Sequence, residues 1–178
     1  MKYEYKLIFR VLIALLFRPQ IFYLFLTFPT IIFSFILLKV SGYEVIRRGS
    51  SLIVNNITLE FVDACIASSA YYLLLFLILL TKDIKIVTML KMFLLGSLII
   101  FLGNILRIFI LIIFLLEKGY DWFNLIHLTL WYGVASVFVF LVWIYLIRKY
   151  KIKNIPIYSD VVYLASKIRK QKKKRKHK

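Results

Sequence analysis

Long apolar runs separated by short polar segments dominate the chain. A helix needs roughly 20 apolar residues to cross a hydrocarbon core of about 30 Å, and four runs come close to or exceed that length. The pattern predicts an all-α integral membrane protein with about four transmembrane helices. The predicted spans are about 21–38, 64–80, 92–116 and 128–147.

An additional apolar run, Leu7–Phe17, precedes the first span and differs from the others in two ways. It is too short to cross a bilayer, and Arg10 interrupts it. These features favour an interfacial helix that lies on the inner leaflet over a fifth span. Insertion into the membrane remains the alternative.

The polar segment Lys39–Asp63 separates the first two predicted spans. Within it, Ser51–Val54 and Ile57–Val62 are short and rich in β-branched residues, and Asn55 and Asn56 join them. Asn tolerates the left-handed conformation of a tight hairpin turn. The segment therefore predicts a short extracytoplasmic β-hairpin directly before the second span, with an unstructured loop as the alternative.

The composition supports membrane insertion, and the charge distribution supplies an orientation. Hydrophobic residues make up 62% of the 178 residues, more than a soluble domain of this size would bury. The formal net charge is +17, but thirteen of the 25 Lys and Arg residues follow Ile147. By the positive-inside rule, both termini are predicted to be cytoplasmic. The segment Thr81–Lys91 is then a cytoplasmic loop, and Glu117–Ile126 is an outer loop.

The basic C-terminal region is predicted to be a tail separate from the membrane domain. We divide the chain into a membrane domain at 1–158 and a cytoplasmic tail at 159–178. The tail begins with an amphipathic pattern and ends in a Lys- and Arg-rich run, which is typical of attachment to anionic lipid. The simpler alternative is that its charge only fixes the topology. No motif indicates a nucleic-acid partner, a metal or another cofactor, and the oligomeric state is not predicted.

Four residues interrupt the apolar pattern at membrane depth: Cys65, Asn104, Arg107 and His127. Arg107 is the most informative, because a charge inside a span costs at least about 2.5–3.5 kcal/mol and usually faces a cavity or the bundle interior. Asn104 shares its helical face. The structural alternative is that Arg107 snorkels outward or pairs with backbone carbonyls.

The predicted topology places Cys65, Arg107 and His127 in the outer half of the membrane. A nearby cationic Arg favours the thiolate of a cysteine. A nearby His can accept the thiol proton and later protonate a leaving amine. Together these residue types indicate cysteine-based acyl transfer, whereas a cysteine alone in a membrane helix is usually inert packing.

The same residues carry a family resemblance. The sequence Asp-Ala-Cys-Ile-Ala-Ser-Ser at Asp63–Ser69, the pattern Asn104-x-x-Arg107 and the later His127 resemble the exosortase/archaeosortase family of membrane cysteine transpeptidases. The resemblance covers roughly residues 42 to 147. It implies that Cys65 is the nucleophile, that Arg107 stabilises the thiolate or the oxyanion, and that His127 is the general base and acid.

The resemblance also implies a substrate, namely an exported protein whose C-terminus carries a short motif, a transmembrane helix and a basic end. The product would pass through a thioester to an amine or a lipid-linked acceptor at the extracytoplasmic face of the plasma membrane. Asn104, Ser68 and Asp63 are predicted to have supporting roles. Asp63 would orient His127 or bind a substrate group, and a solvated loop carboxylate is the alternative. Many members have Ser-Gly after the cysteine, where this chain has Ile66-Ala67.

Two other functions use different residues. A small insertase or membrane chaperone would need a hydrophilic groove at Arg107 and the basic tail but not Cys65. A structural accessory subunit would need Cys65 and Arg107 only for stability. For the enzyme, the hairpin edge offers a place where an extended substrate peptide could pair, a hypothesis that a proline at Leu59 would test.

Overall fold

The computed structural model describes residues 18–81, 84–129 and 133–152, together with Arg10 and Leu12. The described part is mostly helical and contains one small sheet. The elements in chain order are α1 Pro19–Val40, β1 Val45–Arg48, β2 Ser51–Val54, β3 Ile57–Glu60, α2 Asp63–Ile66, α3 Ser68–Leu80, α4 Ile86–Lys118, α5 Tyr120–Thr129 and α6 Ala135–Lys149.

Two of these helices, α1 and α4, are long and apolar enough to cross a membrane. Pro19 occupies the first turn of α1, where its missing N–H breaks no helical hydrogen bond, and Pro29 lies inside the helix. Helix α3 is apolar but has only 13 residues. The described residues therefore contain two candidate spans, and the four-span topology stays a prediction.

The predicted hairpin is present, and it belongs to a three-stranded antiparallel sheet with the order β1-β2-β3. Asn55 and Asn56 both have positive φ, 47° and 67°, and form the two-residue turn between β2 and β3. The additional strand β1 was not predicted. It joins β2 through a second tight turn, in which Gly49 has a φ of +62°.

Several observed helix bounds differ from those of the predicted spans and loops. The span predicted at 64–80 is interrupted, because Ala67 is left-handed (φ 56°, ψ 37°) and separates α2 from α3. The predicted outer loop Glu117–Ile126 is mostly helical, since α5 begins at Tyr120, directly after Gly119 with its φ of +83°. The helix predicted at 92–116 extends from Ile86 to Lys118.

The span predicted at 128–147 corresponds to the end of α5 and most of α6. The predicted interfacial helix Leu7–Phe17 lies outside the described residues except for Arg10 and Leu12, which are helical. The predicted tail, 159–178, also lies outside them.

Two clusters of buried apolar side chains hold the described elements together. One joins α3, α4 and α6 and includes Tyr71, Leu74, Met92 and Leu146. The other joins α1, the sheet, α2 and α4 and includes Leu38, Leu52, Val54, Ile66 and Ile108. Because the sheet side chains of the second cluster are fully buried, this cluster fixes the sheet and the Cys65 turn against the middle of α4.

Candidate active site

Cys65 lies in a single helical turn, α2, between the sheet and the apolar helix α3. Its backbone N–H donates to the Val62 carbonyl at 2.8 Å. The turn therefore begins directly after Phe61 and Val62, the two residues that follow β3. The left-handed Ala67 ends the turn. The cysteine therefore occupies a short, separately oriented piece of backbone rather than the interior of a continuous helix.

Two polar side chains of α4 bind this piece of backbone. Arg107 donates from Nη2 to the Ala64 carbonyl at 2.6 Å, and Asn104 donates from Nδ2 to the Cys65 carbonyl at 2.7 Å. A continuous helix would pair these carbonyls with the N–H groups four residues later. Because the helix is broken at Ala67, the side chains of Asn104 and Arg107 donate to these carbonyls instead. The two donors are three residues apart and share one face of α4.

Cys65, Arg107 and His127 line one cavity of about 210 Å³. The wall on the sheet side consists of four consecutive residues, Thr58 to Phe61, and α2, α4 and α5 supply the remainder. The structure thus brings together side chains from α2, α4 and α5. The complete lining is Thr58, Leu59, Glu60, Phe61, Cys65, Arg107, Ile108, Leu111, Ile112, Phe123 and His127.

His127 lies in the last turn of α5, ahead of the predicted fourth span. Its imidazole stacks on the Phe123 ring one turn earlier, with centroids 5.5 Å apart and planes 18° apart. Its Nδ1 is buried and has no hydrogen-bond partner among the described residues. Burial lowers the pKa of His127, and the positive charge of the nearby Arg107 lowers that pKa further. The imidazole therefore favours its neutral form, which can accept a proton.

Arg107 makes a structural contact and also reaches the cavity that contains Cys65. It pairs with a backbone carbonyl, as the structural alternative expected, and it also lines the cavity that contains Cys65. One guanidinium thus holds the cysteine turn in place and brings a positive charge to the cavity.

Asn104 is 5% exposed and acts on the backbone of Cys65 rather than on its thiol. Its Oδ1 has no partner among the described residues. Asn104 and Arg107 also line a second, mainly apolar cavity of about 260 Å³ between α3, α4 and α6.

Asp63 and Ser68 are not brought into the cavity that contains Cys65. Asp63 is exposed, and no hydrogen bond or ion pair links its carboxylate to His127 in the described residues. Ser68 is fully buried at the start of α3, and its hydroxyl has no partner within the described ranges. In the described part of the chain, no group of three or more His, Cys, Asp or Glu side chains could hold a metal ion.

Sequence reasoning missed two contributions to the cavity. Phe123 was placed in a loop, and its spacing of four residues from His127 becomes meaningful only once α5 is helical. The sheet wall was missed because the hairpin was predicted without its position against α4.

A comparison with known protein families gives a match over most of the chain. The family model of the transmembrane exosortases matches residues 3–148, which include the sheet, the cysteine turn, α4 and His127. No curated protein and no solved structure matches the chain. The family match covers most of the chain, and the protein belongs to the transmembrane exosortase family.

Proposed function

We propose that this chain is a membrane-embedded cysteine transpeptidase that cleaves the C-terminal sorting signal of exported proteins. One observation carries the proposal: a thiol, a guanidinium and an imidazole from three separate elements line the same cavity. Family membership supports the same chemistry. The substrate that the resemblance implies ends in a short motif, a transmembrane helix and basic residues.

The proposed reaction begins with proton transfer from the Cys65 thiol to His127. The thiolate attacks the scissile carbonyl carbon, and the electron pair of the C=O bond moves to oxygen. Arg107 stabilises this oxyanion or the thiolate through its positive charge. Collapse of the tetrahedral intermediate breaks the C–N bond, and the protonated His127 gives its proton to the leaving amine.

The result is a thioester between Cys65 and the new C-terminus of the substrate. An amine or a lipid-linked acceptor then attacks the thioester carbonyl and gives its proton to His127. The Cys65 thiolate leaves and regains a proton. Water in place of the acceptor would give hydrolysis by the same steps.

A processing assay in membranes tests this proposal. The probe is an exported host protein that ends in a transmembrane helix and basic residues and carries a C-terminal tag. It is co-expressed with the native chain, with Cys65→Ala, with Cys65→Ser and with Ser68→Ala. Ser68→Ala is the matched control, because Ser68 is buried next to the cysteine turn but does not line its cavity.

We expect the native chain and Ser68→Ala to remove the tag and both Cys65 variants, at equal abundance, to leave it in place. A thioester trapped in the native chain should be released by hydroxylamine. Processing that persists without Cys65 would show that the cysteine is not the nucleophile.

The insertase hypothesis predicts a different pattern in the same cells. Membrane insertion of the probe would depend on Arg107 and on the basic tail, and it would be unchanged in Cys65→Ala. Loss of insertion in Arg107→Gln with no cleavage by the native chain would favour that function.

A further inference from the structure

The outer edge of β3 leads directly to the cysteine turn. Strand β3 lies at one side of the sheet, and only Phe61 and Val62 separate its last residue from α2. Side chains of consecutive strand residues point to opposite faces of a sheet. Nevertheless, Thr58, Leu59 and Glu60 all line the cavity that contains Cys65. The cavity therefore follows the edge of β3 rather than one of its faces.

The register of the sheet shows which backbone groups of β3 point to this edge. The Asn55 N–H donates to the Glu44 carbonyl, so Asn55 directs its backbone groups toward β1. Backbone groups alternate in direction along an antiparallel strand, so Leu52 and Val54 direct theirs toward β3. Their partners are Leu59 and Ile57. The N–H and C=O groups of Thr58 and Glu60 consequently point outward, to the edge.

The opposite edge of the sheet has a different character. By the same alternation, Val45 and Arg47 direct their backbone groups outward from β1. This strand packs against α1, and the Arg47 guanidinium lies over the Phe28 ring, 5.2 Å from its centroid. Charged side chains and a covering element are the usual protection of a sheet edge against strand addition. Of the two edges, only that of β3 borders the cavity of the cysteine.

We propose that the edge of β3 binds the extended substrate segment next to the scissile bond as a fourth strand of the sheet. This inference rests on the proposed function and names the mode of substrate recognition. Main-chain hydrogen bonds to Thr58 and Glu60 hold the peptide, and the strand direction delivers its carbonyl to Cys65. Binding by main-chain groups tolerates different side chains, so specificity arises where side chains of the peptide meet the cavity wall.

The register of the sheet determines which proline substitution in β3 tests strand addition. A proline at Leu59 removes an N–H that faces β2, so this variant breaks the sheet itself. Thr58→Pro removes an outward N–H and leaves the β2–β3 ladder intact, a position that edge strands tolerate. Arg47→Pro removes an outward N–H at the opposite edge and is the matched control. Thr58→Ala separates loss of the side chain from loss of the N–H.

Binding is measured apart from catalysis. The tagged probe protein described above is co-purified with the full-length Cys65→Ala chain, alone or combined with each variant. We expect Thr58→Pro to reduce retention of the probe about tenfold, as for one or two lost hydrogen bonds. Arg47→Pro should retain it within about twofold of the parent, and Thr58→Ala should retain more of it than Thr58→Pro, because Thr58→Ala keeps the outward N–H. Retention of the probe by Thr58→Pro at the level of the parent would overturn the proposal. A loss in Arg47→Pro as large as that in Thr58→Pro would also overturn it.

A scan of the substrate covers the case in which Thr58→Pro does not fold. Single prolines are placed through the segment of the probe that precedes the cleavage site. Pairing with one strand edge uses every second N–H of the peptide, so retention should fall at alternate positions. A uniform effect, no effect, or no retention of the unmodified probe contradicts strand addition.

The two proposals fail differently. If the Cys65→Ala chain retains the probe with the alternating pattern and the native chain does not cut it, strand addition at β3 is supported. The transpeptidase function is then contradicted. If the native chain cuts the probe and Thr58→Pro cuts it equally well, the transpeptidase function is supported and strand addition at β3 is contradicted.

Discussion

At the residue scale, two side chains hold the backbone around Cys65 by its carbonyl groups. Asn104 and Arg107 bind consecutive carbonyls, and both donors come from one face of α4. Their spacing shows why an amide and a guanidinium stand together in an apolar helix. The helix carries the polar groups that a broken neighbour needs, because unpaired carbonyls in a buried environment are costly.

The first prediction concerns Asn104. Asn104→Leu leaves the Cys65 carbonyl without its donor, so we expect a loss of about 1–3 kcal/mol in the free energy of unfolding and a strong loss of cleavage. Ser97→Ala is the control, since the Ser97 hydroxyl has no partner among the described residues. Thermal unfolding of the detergent-solubilised variants measures the effect. Equal melting temperatures for Asn104→Leu and the native chain would contradict it.

A second prediction concerns pH. In the proposed reaction the neutral imidazole of His127 is the base, and its pKa is lowered by burial and then by Arg107. Cleavage should therefore persist below the ordinary pKa of 6.5 and fall only as the pH drops through the lowered value. Processing rates between about pH 5 and pH 8 measure this acid limb. A limb at or above 6.5 would show that His127 does not titrate as described.

At the element scale, the packing of α3, α4 and α6 depends on a close approach at Gly96. A Cβ at this position would lie 2.6 Å from Cδ2 of Leu74 and 2.9 Å from Cδ1 of Leu146. Small residues allow helices in membranes to pack closely when lipid removes most of the hydrophobic driving force.

The third prediction follows from this contact. Gly96→Ala forces both leucines to move, and we expect a destabilisation of about 1–3 kcal/mol. Gly133→Ala is the matched control, because a Cβ there would meet no atom within 4 Å. The two variants are compared by thermal unfolding in the same detergent. A Gly133→Ala chain that is as unstable as Gly96→Ala would mean that close packing is not the cause.

The elements also show how far local sequence determines this fold. The turn at Asn55 and Asn56 was predictable because both residues tolerate positive φ. Strand β1 was missed because it ends in two arginines, and α5 was missed because its short polar-containing segment resembles a loop. The break at Ala67 has no local signal, since alanine favours helices. There, long-range hydrogen bonds from α4 compensate for the interrupted helix.

At the scale of the whole molecule, the family and the membrane location are established, and the topology is open to a direct test. Cys65 is the single cysteine of the chain. A Cys65→Ser chain therefore accepts one introduced cysteine at a time, with no other thiol to react.

The fourth prediction uses this property. With four spans and cytoplasmic termini, Ser50→Cys in the turn between β1 and β2 should react with a membrane-impermeant maleimide added to intact cells. Lys85→Cys, directly before α4, should react only after permeabilisation. Labelling of both cysteines from the same side would exclude this topology.

The separation along the chain between the cysteine turn and its hydrogen-bond donors has a consequence for biosynthesis. Asn104 and Arg107 follow the residues that they bind by 39 and 43 positions. Translation proceeds from the N-terminus to the C-terminus, so Cys65, the proposed nucleophile, emerges well before α4 is complete. A nascent chain that ends before Asn104 holds a thiol on an unsupported turn. Maturation of the proposed active site is thus coupled to the arrival of α4, and a chain stalled earlier should be inert toward exported proteins.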